Sequence, residues 1–236
     1  MALIRASNSA FAFSGAVAYK HVMRRLIHLM LSPSCRLARL IEAEKRIACD
    51  PVHAEDARNP MPVFVDMDGT RCEGLWAILD HVETHYPDHP LAPDDAAERR
   101  MSLRWLDWAM GPLHEQVTQR IVYEKAGQRY TGAPGRRAPD MNVIRQGREE
   151  IKLALAAIGN AAESNGNLAG RAPSLGDLAV AAHLSALDYF GEVPWAEFPT
   201  AQEWYVRLKS RPSFRSILSD RVPGQPPVAH YAELDF

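Results

Sequence analysis

Arg25-Leu26-Ile27-His28-Leu29-Met30 runs through Leu31 into Ser32-Pro33-Ser34-Cys35-Arg36-Leu37-Ala38-Arg39-Leu40-Ile41, and the junction of these two stretches decides the fold. The first is short, apolar and closed by a Ser-Pro signal, the pattern of a buried strand. The second reads as a helix that begins at once. Ser32 suits the N-cap, and Pro33 suits the first helical position, where its missing N–H costs nothing. Leu37, Leu40, Ile41 and Glu44 then follow helical spacing to the charged end at Lys45 and Arg46.

Downstream, Ile47 to Val52 is a weaker strand candidate. Pro62 to Asp66 is apolar and β-branched, Met67-Asp68-Gly69 turns it, and Thr70 to Cys72 returns antiparallel as a hairpin. Glu73 to Tyr86 restores helical periodicity through Leu75, Ile78, Leu79 and Val82. Pro87 to Pro93 holds three prolines in seven residues and reads as a stiff linker. Everything beyond it reads as helix: Asp94 to Lys125 with a kink at Gly111-Pro112, Met141 to Asn165, Ser174 to Phe190, Thr200 to Ser210, and a short one beginning near Ser213. Gln128 to Pro139 is a loop. The stretch from Asp220 to Phe236 carries three prolines and reads as an extended tail, draped on the surface or mobile. The expected organisation is therefore an extension over 1–22, an α/β domain over 23–86, a linker over 87–93, a helical domain over 94–219 and a tail over 220–236.

Composition limits the functions available. A chain of 236 residues and 26.3 kDa can bury roughly 70% of its unfolded area, enough for a sizeable core. With 47% hydrophobic and 24% charged residues it reads as a folded globular protein. Its 27 basic and 29 acidic side chains leave a formal charge of -2, without the basic excess that binding along nucleic acid requires. Cys35, Cys49 and Cys72 are odd in number and unpaired in spacing, which suggests neither a disulfide framework nor a zinc module and favours a reducing compartment. The apolar run from Ala10 to Tyr19 superficially resembles a signal peptide but is too short to span a bilayer as a helix. With Met23 just before the first strand, residues 1–22 read as a flexible extension or an artefact of start-codon choice. A cytoplasmic protein without membrane insertion is expected.

The order strand, helix, strand, hairpin, helix, proline linker and all-helical half resembles the glutathione transferase architecture, an α/β thioredoxin-like domain followed by an all-α helical bundle. Ser32-Pro33-Ser34-Cys35 through Glu44-Lys45 resembles that superfamily's first strand-to-helix motif, in which a Ser, Cys or Tyr near the helix start activates the thiol. Met61-Pro62-Val63 resembles its cis-proline before the third strand. Glu73-Gly74 falls where those enzymes have an acidic residue and a serine that hold the γ-glutamyl group. Ser174-Leu175-Gly176-Asp177 resembles the structural capping motif of the sixth helix.

The second half narrows the resemblance. Trp105-Leu106-Asp107-Trp108, Ala182 to Gly191 followed by Val193-Pro194-Trp195, Trp204 to Phe214, and the ending Asp220-Arg221-Val222-Pro223-Gly224 through Asp235-Phe236 are similar to the FtsZ-localised, glutathione-transferase-like division proteins of alphaproteobacteria. That resemblance implies a dimeric module that binds FtsZ filaments at the division site without transferase activity, with a tail that supports signalling to septal wall synthesis.

Each candidate site residue has two readings. Ser32 is a thiol-activating hydroxyl or a plain N-cap. Cys35, in the first helical turn, is a thiol of depressed pKa or a buried structural one. Pro62, Glu73 and Gly74 mark a vestigial glutathione site: Gly74 lacks the hydroxyl that would receive a substrate carboxylate. Asp50 to Asn59 also shows no helical face to close over the tripeptide. No cofactor is expected on this reading; the alternative is a glutathione-dependent transferase or thiol reductase using Ser32 or Cys35. His81 and His85 share a helix face, with His89 beyond the proline, but lack a completing carboxylate or cysteine, so solvated histidines are expected rather than a metal site. Arg129, Arg136 and Arg137 form a basic loop that docks an acidic partner or is ordinary solvated surface. In the tail, Tyr231, Leu234 and Phe236 are apolar anchors beside Glu233 and Asp235, offered to a partner or packed back on the bundle. Removal of residues 220–236 is expected to leave folding intact.

Overall fold

The computed structural model describes residues 23–54, 60–132 and 138–234. Its N-terminal part holds a four-stranded sheet of order β2-β1-β3-β4, formed by β1 Arg24–His28, β2 Cys49–His53, β3 Val63–Val65 and β4 Arg71–Glu73. β1 and β2 are parallel and joined through helix α1, Pro33–Glu44, whereas β3 runs antiparallel to both β1 and β4. The first strand ends two residues earlier than its apolar run suggests, because Leu29 and Met30 turn out of the ladder toward the helix. Helix α2, Leu75–His85, follows β4 directly and packs with α1 through Leu75, Ile78 and Val82, the face that the periodicity marked.

The helical part comprises α3 Ala96–Trp108, α4 Gln119–Lys125, the short α5 Gln128–Thr131, α6 Met141–Asn165, α7 Leu175–Tyr189, α8 Pro199–Lys209 and the short α9 Arg215–Leu218. Every residue of α7 is buried, so this helix is the axis around which α1, α3 and the others pack. A helix apolar all round belongs in the interior. Between α3 and α4 the chain passes through Gly111-Pro112, the expected kink, without leaving helical conformation. It widens into a π-helical stretch over Ala109–Thr118, which accommodates a proline that has no N–H to donate.

Both proline-rich segments are docked on the rest of the molecule. The proline linker is docked: Leu91 is buried and its carbonyl accepts from Leu175 N at 3.0 Å. The tail over 220–234 is fixed to the bundle, with Asp220, Val222 and Tyr231 buried and a last turn over Ala229–Ala232. Residues 1–22, and with them the reading of an N-terminal extension, lie outside the described residues.

Candidate functional site

The cleft where a thiol-activating site is expected opens at the start of α1. Ser32 occupies the N-cap in extended conformation, yet its hydroxyl makes no capping bond and lies 3.0 Å from Ser34 Oγ. The capping expected of this hydroxyl is not made; the neighbouring serine engages it instead. Cys35 is fully buried among Leu29 and Ala54. Burial pushes its thiol up to about 11 against smaller hydrogen-bonding effects from Leu29 and Ser32, so it stays protonated at neutral pH.

The opposite wall retains part of the expected pattern. The Met61-Pro62 bond is cis, and Pro62 O accepts from Gly74 N at 2.8 Å. Glu73 is exposed and pairs with Arg71 at 2.8 Å. Gly74 has φ of 82°, in the left-handed half of the map, where any side chain is strained. A Cβ there would meet only Pro60 at 3.9 Å, so space exists but the backbone disfavours a serine. Among the described residues, no helix lies between β2 and β3. A γ-glutamyl group would find backbone amides but no hydroxyl, and a thiol would find no thiolate-stabilising cysteine. The cleft thus keeps the cis-proline of such a site and lacks a hydroxyl at position 74.

The polar centre of the molecule lies deeper. Arg36, fully buried, donates Nε to Met30 O at 2.7 Å and one terminal nitrogen to Ser185 Oγ at 2.8 Å and Tyr231 Oη at 3.1 Å. Its other terminal nitrogen lies 3.4 Å from Asp220 Oδ2, and Arg39 grips the same carboxylate at 2.8 and 3.0 Å. Tyr231 Oη also donates to Ile217 O at 3.0 Å. Tyr231 is therefore an internal anchor rather than an exposed one: its ring covers the Arg36 cation and leaves no surface for a partner. This clamp was not visible in the sequence, where Arg36 and Arg39 look like ordinary charged positions three apart on a helix.

The other predicted positions are dispersed. Arg129 is exposed, Leu234 is exposed near the end of the described tail, and Arg136, Arg137 and Phe236 lie outside the described residues. His81 is buried rather than solvated, with Nε2 2.8 Å from Asp66 Oδ2, while the ring of His85 stacks on it at 4.3 Å. Burial would raise the Asp66 carboxyl, but bonds from Tyr86 and His81 and the nearby Arg24 hold it down at about 2. His28, at the end of β1, is also fully buried. Burial, reinforced by the Arg39 charge, pushes it down to about 3.

The fold and this cleft define a protein of the glutathione-transferase structural class, with the thioredoxin-like and helical parts in the usual order. No family model matches the chain. FtsZ-localized protein A of Caulobacter vibrioides (strain NA1000 / CB15N) is 40% identical over 230 residues, spanning 91% of this chain and 99% of the relative. A crystal structure of a glutathione S-transferase from Rhodospirillum rubrum F11 superposes with a TM-score of 0.84 at 37% identity, and FzlA from C. crescentus with 0.82 at 39%. Each covers 91% of this chain and 100% of the other. The chain belongs to the FtsZ-localized protein A family.

Proposed function

We propose that this chain is a non-catalytic binding protein of bacterial cell division that attaches to FtsZ filaments at the division site in the cytoplasm. The observation that carries the reading is the 40% identity, across 91% of the chain, to a relative named for its localisation with FtsZ. The cleft supports it from the other side: a buried protonated Cys35, a Ser32 hydroxyl engaged by Ser34, and a Gly74 backbone unsuited to serine make poor thiol machinery. Among the described residues, no helix is long and apolar enough to cross a membrane.

We further propose a homodimer as the working unit, because two equivalent copies hold or bridge neighbouring filament subunits through avidity. Met67 on the β3–β4 turn, Trp76 on α2, and Met101 and Leu103 on α3 are exposed large apolar side chains that support such a face. The basic Arg129 surface supports an acidic partner.

A second reading, a glutathione-dependent transferase or thiol reductase, is favoured by the cis Met61-Pro62 bond and by the likeness to the R. rubrum glutathione S-transferase. Retention on glutathione resin together with turnover of an electrophile separates the two. The proposed function predicts neither, and turnover abolished by Ser32→Ala or Cys35→Ala would establish the rival. Co-sedimentation with assembled FtsZ tests the positive claim.

A further inference from the structure

At the end of α1 away from Ser32, a cavity of about 370 Å³ opens between separate stretches of chain. Arg46 lines it from the turn after α1, His89 from the proline linker and Arg211 from the turn after α8. Among the described residues, Arg46 and His89 are the only non-glycine residues in the left-handed region, with φ of 56° and 55°. Both belong to this one cavity. The turn after α1 closes with Arg46 N donating to Ala43 O at 3.2 Å and Ile47 N to Glu42 O at 2.8 Å, and its left-handed position ordinarily takes glycine. His89 precedes Pro90, which restricts its backbone further. Strain kept twice around one cavity points to a use for the two side chains.

The charges in the lining set what fits. Glu44 is its carboxylate, and both oxygens are taken: Oε1 accepts from Arg211 Nε at 2.7 Å and Ser213 Oγ at 2.6 Å, and Oε2 accepts from Arg211 Nη2 at 2.6 Å. Arg211 Nη1 makes no hydrogen bond among the described residues, and neither do the side chains of Arg46 and His89. Arg46 makes no ion pair there either, so one positive charge in the lining is uncompensated. Asp88, beside His89 in sequence, is outside the lining. Donors from three stretches of chain suit the several oxygens of a phosphoryl group better than the two of a planar carboxylate. Pro90, Pro173 and Pro212 add stiff apolar wall. The volume lies above the roughly 300 Å³ at which pockets begin to hold small molecules.

We propose that this cavity binds a phosphate monoester, with Arg46 as its counter-charge, Arg211 Nη1 and the His89 ring as further donors, and the prolines around its organic part. The phosphoryl group belongs either to a small free molecule or to a phosphorylated side chain of a partner protein. The test is titration of the full chain with phenyl phosphate, read on the ring C–H resonances of His89, which the His89→Gln variant assigns. Benzoate and a short phosphoserine peptide are run beside it.

Phenyl phosphate should shift the His89 ring saturably, and benzoate should bind about tenfold more weakly. Arg46→Gly relieves the left-handed backbone, so it should melt no lower than the parent while binding phenyl phosphate about tenfold more weakly, and Arg46→Gln should weaken binding to the same extent. An Arg46 that serves only to end the helix would leave affinity unchanged in both variants. Tighter binding of the phosphoserine peptide than of phenyl phosphate assigns the phosphoryl group to a partner protein, and the reverse order assigns it to a small molecule; both sustain the site. Non-saturating shifts, benzoate bound as tightly as phenyl phosphate, or unchanged affinity in the Arg46 variants overturns it.

Discussion

Asp177 shows how much one side chain carries at the start of α7. Its carboxylate accepts from Ser174 N and Ser174 Oγ at 2.9 Å each, from Leu168 N at 2.9 Å and from Trp204 Nε1 at 3.0 Å. Asp177→Ala leaves these buried donors without an acceptor and should cost about 3 kcal/mol in urea unfolding. The capping pair was legible, because Ser174-Leu175-Gly176-Asp177 has capping-box spacing; the Trp204 bond was not, because it comes from 27 positions away. Gly74→Ser is the corresponding test in the cleft. With φ at 82° the substitution should destabilise by about 1–3 kcal/mol and should not create retention on glutathione resin. Glu42 gives a pH signature. Its buried carboxyl has one oxygen without a partner, and burial pushes it up to about 8. Between the ordinary carboxylate range and pH 8 the native state therefore binds more protons than the unfolded one, and its stability declines as pH rises. Glu42→Gln should gain on the parent across that window by up to about 1.4 kcal/mol per pH unit, levelling off above pH 8, as read from melts at successive pH values.

Among the elements, the tail changes the account most. Proline content announces an extended chain but says nothing about where it docks, and the residues that receive it are far off in sequence: Arg36 lies 184 positions from Asp220 and 195 from Tyr231. Removing residues 220–236 strips the counter-charge from two buried guanidinium groups. Loss of one partner of a buried pair costs about 3–5 kcal/mol, so the truncated chain should unfold well below the parent melting temperature, contrary to the expectation of an intact fold. Tyr231→Phe, which keeps the ring and loses only the hydroxyl bonds to Arg36 and Ile217 O, should cost about 1 kcal/mol. Helices were the legible part, since periodicity and caps are local: α6 spans the Met141 to Asn165 read from the sequence. The π-helical stretch around Pro112 was not, because a proline signals disruption without specifying whether the helix bends or widens.

At the scale of the whole molecule, α1 joins the two halves through ion pairs as well as packing. Arg36 and Arg39 meet the tail at Asp220, and Glu44 receives Arg211 at 2.6 and 2.7 Å and Ser213 Oγ at 2.6 Å. The helix at whose start a thiol enzyme presents its reactive group here holds the sheet, bundle and tail together, and the proposed function assigns the outer faces to FtsZ filaments. Pelleting of the full chain with assembled FtsZ, over a series of salt concentrations, addresses this most directly. The account predicts clear co-sedimentation that weakens as ionic strength rises. A chain that stays in the supernatant at every salt concentration would contradict it.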